Sequence, residues 1–160
     1  MRNNKGFSLV ELIIVIAIMA ILVGVMAPQL IKYIEKTNVS SDTQLCDTVK
    51  SAVTTAVMDP TVLNDADSKT EIDTWDEWTA VDGLTGDSEV EKAIQDTCGV
   101  ENGSDMANFD QKLKSWNSSG SVEFCVVSSN SVHVRVTNSD ATGLKGEGDG
   151  YSNADWIYVD

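Results

Sequence analysis

The chain has 160 residues, 25 of them acidic against 11 basic, and a formal net charge of −14. That balance opposes contact with nucleic-acid phosphates, and no run of Lys or Arg supplies a local basic patch to offset it. Hydrophobic content is 42%, but much of it lies in the first thirty residues, leaving a polar, acidic remainder long enough for one small globular domain.

A short basic leader, Met1 to Gly6, carries Arg2 and Lys5. It runs into an apolar block, Phe7 to Ala27, broken by one charge, Glu11. As a helix those residues rise by about 31 Å, roughly the hydrocarbon thickness of a bilayer. A carboxylate there costs up to ~3 kcal/mol if deeply buried, so its presence calls for a reason. A secretory signal peptide has the same order of basic, apolar and small-residue parts, with Val25-Met26-Ala27 as its cleavage site. Pro28 directly after the cut, the length of the run and Glu11 all argue against that reading. A plain membrane anchor explains the length but not the carboxylate.

Beyond Pro28 a helical pattern resumes through Leu30, Ile31 and Ile34, then Leu45, Cys46, Val49, Val53 and Val57 on one face. Proline removes one hydrogen bond and is expected to kink or loosen the helix rather than end it. One long helix is predicted from Phe7 to Met58, stopped by Asp59-Pro60. Its first half suits lipid or a filament core; its second half is expected to pack on the globular domain. Short helices and turns are predicted from Thr61 to Ser104. They include a turn or two over Asp73 to Val81 with Trp75 and Trp78, and a helix over Glu89 to Thr97 with Ser88 and Glu91 as capping box and Gly99 as C-cap. A third short helix is suggested by Met106, Phe109, Leu113 and Trp116, capped by Ser104. The period then changes to two. Val122, Phe124 and Val126 alternate with Glu123, Cys125 and Val127, and Val132, Val134 and Val136 with His133 and Arg135, an antiparallel hairpin joined by Ser128-Ser129-Asn130-Ser131. Trp156 to Val159 adds a third strand after a glycine-rich loop, Thr142 to Asn153.

The junction Lys5-Gly6-Phe7-Ser8-Leu9-Val10-Glu11-Leu12 closely resembles the class III leader of the type IV pilins and of their relatives, the pseudopilins of type II secretion. The resemblance is strong only over residues 1 to about 34. It implies an α+β fold, with a long N-terminal helix packed on a small C-terminal antiparallel sheet. The parts would be a leader (1–6), a transmembrane and polymerisation segment (7–27), and the amphipathic half-helix with the globular head (28–160). It also implies cleavage after Gly6 by a prepilin peptidase and methylation of the new N-terminus at Phe7. Glu11 would neutralise an N-terminal ammonium, that of its own chain or of a neighbouring subunit. Gly24 and Pro28 match the helix-loosening positions of the family, although Ile18-Met19-Ala20-Ile21 lacks the second mid-segment glycine that many pilins carry.

Chemistry elsewhere is sparse. With three cysteines, one disulfide leaves one thiol over. Cys98 with Cys125 is the favoured pair, Cys46 with Cys98 the alternative, and Cys46 falls on the apolar helix face. Glu147, Asp149, Asn153 and Asp155 make a weak calcium candidate, by analogy with the calcium loop of the major pseudopilins. The spacing fits no EF-hand, and no other cofactor is implied. His133 is the sole histidine and belongs to no triad, and the glycine-rich stretch lacks the ending of a phosphate-binding loop. No enzyme is expected. The expected function is a structural subunit of a pilus, anchored first in the cytoplasmic membrane and then displayed at the cell surface for adhesion, motility or aggregation. Its partners would be further copies of itself, the prepilin peptidase, an assembly platform and, before assembly, the membrane; no nucleic acid is expected. The alternatives are a pseudopilin of a secretion or DNA-uptake system and a monomeric membrane-anchored binding domain.

Overall fold

The computed structural model describes residues 8–100, 103–114, 120–128, 131–137 and 155–159. Helix α1 spans Leu9–Met58 and contains Pro28. The chain divides into two compact units, Met1–Lys36 and Thr37–Asp160. Helices α2 (Pro60–Asn64), α3 (Ala66–Ile72), α4 (Glu89–Thr97) and α5 (Gly103–Met106) follow, with 3-10 turns at Val81–Gly83 and Phe109–Lys112. The strands are β1 (Thr79–Ala80), β2 (Ser121–Ser128), β3 (Ser131–Thr137) and β4 (Asp155–Val159). They form one sheet in the order β1-β2-β3-β4, every pair antiparallel. Three full strands and a two-residue edge strand beside one long helix make the α+β arrangement expected of a type IV pilin-like fold.

Within the second unit, α1 buries Asp42, Cys46, Val49, Val53 and Val57. Spacings of three and four keep them on one stripe. Each fully buried valine contributes about 1.5–3 kcal/mol relative to exposure. The inner face of the sheet supplies Val122, Phe124, Val126, Val132, Val134 and Val136 to the same core. The register pairs Val122 with Val136, Phe124 with Val134 and Val126 with Val132, so the period-two reading of the hairpin holds. Trp75 closes this core edge-on against Phe124, the ring centroids 5.0 Å apart and the planes at 86°. On the outer face Glu123 lies opposite Arg135. Their ion pair is 2.7 Å long and half-buried, and the guanidinium stacks 4.0 Å over Trp78.

Local signals set the helix ends. Asp59 accepts from Thr61 N at 2.7 Å and caps α2, whose first residue is Pro60. The proline that stops α1 thus also starts the next helix, since its missing N–H would be unpaired at that position anyway. Asp65 caps α3 through Ser68 N at 2.8 Å. Ser88 caps α4 by accepting from Glu91 N, and Gly99, at φ +69°, closes it. Val100 N donates to Gln95 O and Gly99 N to Asp96 O, the paired bonds of a Schellman ending. Two expectations need correcting. Asp73 to Val81 holds only turns, with Thr74 N donating to Glu71 O and Trp75 N to Ile72 O before Val81 opens a 3-10 turn. The α-helix lies earlier, at Ala66–Ile72, because two Asp caps organise short helices that carry no readable period. The helix predicted from Met106 to Trp116 splits into α5 and a 3-10 turn; Met106, Phe109 and Leu113 are buried as proposed, while Trp116 lies outside the described residues.

Candidate processing and assembly segment

Every residue from Ser8 to Ile34 is exposed, including Leu9 at 72% and Ile21 at 67%. Soluble monomers rarely leave so much contiguous apolar surface uncovered. The span is long and apolar enough to cross a membrane. Gly6 and Phe7, the expected processing positions, lie outside the described residues. Glu11 sits in the first turn of α1, and its Oε2 accepts from Ser8 N at 2.9 Å. Ser8-Leu9-Val10-Glu11 therefore has the sequence of a capping box, with its glutamate half formed. The carboxylate also sits at the positive end of the helix dipole, which favours an anion. The Ser-x-x-Glu signal was present in the sequence, but there the glutamate stood out only as a charge in an apolar run. This placement gives Glu11 a structural task within its own chain, one turn from position 7.

Gly24 and Pro28 are four residues apart, which couples them. Pro28 has no N–H, so the Gly24 carbonyl lacks its helical donor. A Cβ built on Gly24 would meet nothing within 4 Å, so no contact in the described residues demands glycine there. The helix runs unbroken through both positions, and its hydrogen-bond ladder is weakest at this step.

Elsewhere in the head, Asp42 is 1% exposed and accepts from Lys114 N at 2.9 Å. It fastens α1 to the segment that follows the second 3-10 turn. In the sequence it stood in a stretch with only one apolar residue, so no core role was visible. Glu91, also buried, accepts from Gly86 N at 2.8 Å, Asp87 N at 2.9 Å and Thr85 Oγ1 at 3.2 Å. Its carboxylate thus organises the loop before α4 instead of completing the reciprocal half of the Ser88 box. Glu71 lines the same cleft. Burial pushes its carboxyl above the ordinary range, the Ser88 hydroxyl pulls it back, and a hydrogen bond and the charge of Glu91 push it up again. Among the described residues no group of three His, Cys, Asp or Glu is arranged to hold a metal ion. Of the calcium candidates, Glu147, Asp149 and Asn153 lie outside the described residues, and the backbone of Asp155 opens β4 opposite Thr137.

The cysteines are free thiols, and the structure joins neither Cys98 nor Cys46 to another. Cys125 donates to the Asp76 carbonyl at 3.2 Å, because the segment leading into β1 covers that side of β2. The Cys98 side expected there is the C-cap of α4. Cys46 lies fully in the core; burial, followed by the charges of Asp42 and Asp47, pushes its thiol up to about 12. Burial also raises Cys98, to about 11. His133 lies within 3.3 Å of the Ser131 hydroxyl, and no nucleophilic constellation surrounds it in the described residues.

Residues 1–27 match the family model described as the prokaryotic N-terminal methylation motif. Over 38 residues the chain is 55% identical to the type IV wide pilus major component PilA4 of Thermus thermophilus. That match covers 24% of this chain and 29% of the relative, so it spans less than a third of the relative's length. No solved structure matches the chain. The chain is thus similar to type IV pilins through its N-terminal methylation motif and the segment that follows it, and the long helix with a small antiparallel sheet has a type IV pilin-like arrangement.

Proposed function

We propose that this protein is the structural subunit of a type IV pilus, cleaved after Gly6, N-methylated at Phe7 and polymerised through α1 into a cell-surface filament. The observation that carries the reading is the coincidence of the methylation motif at residues 1–27 with an apolar helix exposed throughout and carrying Glu11 alone as a charge from Leu9 to Ile31. Before assembly, lipid covers that surface. In the filament, copies of the same helix cover it. Because lipid tails are as apolar as the helix, close packing of helix on helix and charge pairing favour the fibre, and fresh burial of apolar area does not. Removing residues 1–6 frees the ammonium of Phe7 one turn from Glu11. Pairing of the two charges, within a chain or between neighbours, offsets the cost of holding either in an apolar surrounding. A neighbour's ammonium would compete with Ser8 N for the Glu11 carboxylate, which links register to helix capping. The weakened step at Gly24 and Pro28 is where α1 would yield during packing.

Electron microscopy of the native strain against a deletion tests the reading, with an antibody to this chain marking the fibres. N-terminal sequencing of the purified subunit should begin at N-methyl-Phe7. Glu11→Ala should leave the precursor in the membrane but abolish efficient assembly. Unlabelled fibres, or a subunit that still carries Met1, would count against the proposal.

A further inference from the structure

We propose that one face of α1, centred on Tyr33, docks into an acid-rimmed apolar groove on the head of a second copy of this chain. The inference rests on the polymeric reading above. The groove, ≈ 600 Å³ in volume, lies where α1 ends: Met58, Leu63, Ile72 and Val127 line it, with Asp73 and Asp76. Met58, Leu63 and Val127 are exposed at 44%, 43% and 64%, unlike the alternate β2 residues that fill the core. Its charged lining is acidic only, Asp73 and Asp76, among the described residues. An occupant must therefore bring apolar surface for the floor and positive charge for the rim.

The chain carries such a surface. Gln29, Lys32, Tyr33 and Lys36 line one shallow depression, because positions i, i+3, i+4 and i+7 share a helix face. Tyr33 is 69% exposed and offers a rigid aromatic body with a polar tip. Lysine stems on either side can cover apolar surface while their ammonium groups reach a rim. Once residues 1–6 are removed, Lys32 and Lys36 are the only basic side chains before Thr37. Ile31 and Ile34 lie on the opposite side of the helix and Leu30 flanks Tyr33, so this docking leaves Ile31 and Ile34 for contacts between apolar helices. A second copy suits the groove because groove and face are different patches of one chain. Such a contact is heterologous, and it propagates into an open fibre when the rotation does not close a ring.

The test uses the full-length chain in its native strain, with the photo-cross-linker p-benzoylphenylalanine replacing Tyr33. Sheared filaments are irradiated and the linked peptides mapped. Links to residues 57–63, 72–76 or 126–128 of another copy are expected. Filaments that link only elsewhere overturn the docking while leaving the pilus reading standing. Should the Tyr33 variant not assemble, the same probe at Gln29 on the same face gives the same two outcomes. Lys32→Glu with Lys36→Glu should cut filament yield at least tenfold, and an unchanged yield overturns the proposal. A wild-type strain without filaments containing this chain overturns the functional reading and this inference with it.

Discussion

Glu91 offers the sharpest test of how the head is held together. Its carboxylate is 6% exposed and takes two backbone donors, Gly86 N and Asp87 N, and the Thr85 hydroxyl. Hydrogen bonds to a charged group contribute about 1.5–3 kcal/mol each, and a stranded donor costs about 1–3 kcal/mol. Asp87 is exposed and Gly86 half-buried, so water recovers part of the loss. Glu91→Ala should therefore destabilise the head by about 2–4 kcal/mol. Urea unfolding of a fragment from Thr37 onward, followed by the fluorescence of Trp75 in its Phe124 contact, should show the midpoint falling by about 1–2 M. A fall below about 0.3 M would refute the idea that this carboxylate organises the loop. Glu71 supplies the pH dependence. Its folded carboxyl is raised by burial, against the Ser88 hydroxyl and with help from Glu91 and Asp87, so the folded state holds its proton more tightly than the unfolded chain does. The stability it contributes is complete below the ordinary value of 4.5 and is lost as pH rises through the raised folded value. Glu71→Gln keeps a donor toward Glu91 at every pH. It should add about 0.5–1.5 kcal/mol at neutral pH and flatten the profile. A Gln variant no more stable than wild type at pH 8 would show that the two carboxyl groups do not interact.

Three further expectations can be checked with standard measurements. Gly86 has φ +83°, and a Cβ there would lie 2.7 Å from Gln95 Oε1, an amide already donating to Leu84 O at 3.1 Å. Gly86→Ala should cost about 1–3 kcal/mol in thermal or urea unfolding, and an unchanged midpoint would mean that Gln95 moves freely. Gly24→Ala should raise the helicity of the detergent-solubilised subunit, adding about 0.8–1 kcal/mol of helix propensity, yet lower filament yield. Equal yield would remove Gly24 from the assembly argument. Intact mass should be the same with and without reductant, and iodoacetamide at pH 8 should modify Cys46 last, since that thiol is held near 12; a gain of about two mass units on reduction would instead establish a bridge.

The features legible in the sequence were those with a local cause. Asp59-Pro60, Ser88 and Gly99 act within a few residues, and their ends of α1 and α4 fall where the sequence placed them. The alternation from Val122 to Val136 fixed the register because a one-residue slip would turn every valine outward. Asp42 and Glu91 were harder, since their partners are distant or are loop amides whose direction only the fold determines. Helices α2 and α3 are too short to show a period. The surroundings of Cys125 were not legible either, since the Asp76 carbonyl that its thiol meets comes from a segment 49 residues away. In the N-terminal segment the residue types were plain, but the capping role of Glu11 was hidden by its membrane-like setting.

The sheet order has a consequence for how the head acquires its fold. Strands β1 to β4 are neighbours in space as they are in the chain, so the β2–β3 hairpin closes over a two-residue gap and no crossover must be threaded. Such nearby contacts form early and cheaply. The Asp42–Lys114 bond spans 72 residues and can close only after the intervening helices are placed. Substitutions in the hairpin should then slow folding, whereas those at Asp42 should chiefly hasten unfolding. The head can thus assemble its β2–β3 hairpin first and fasten it to the helix last.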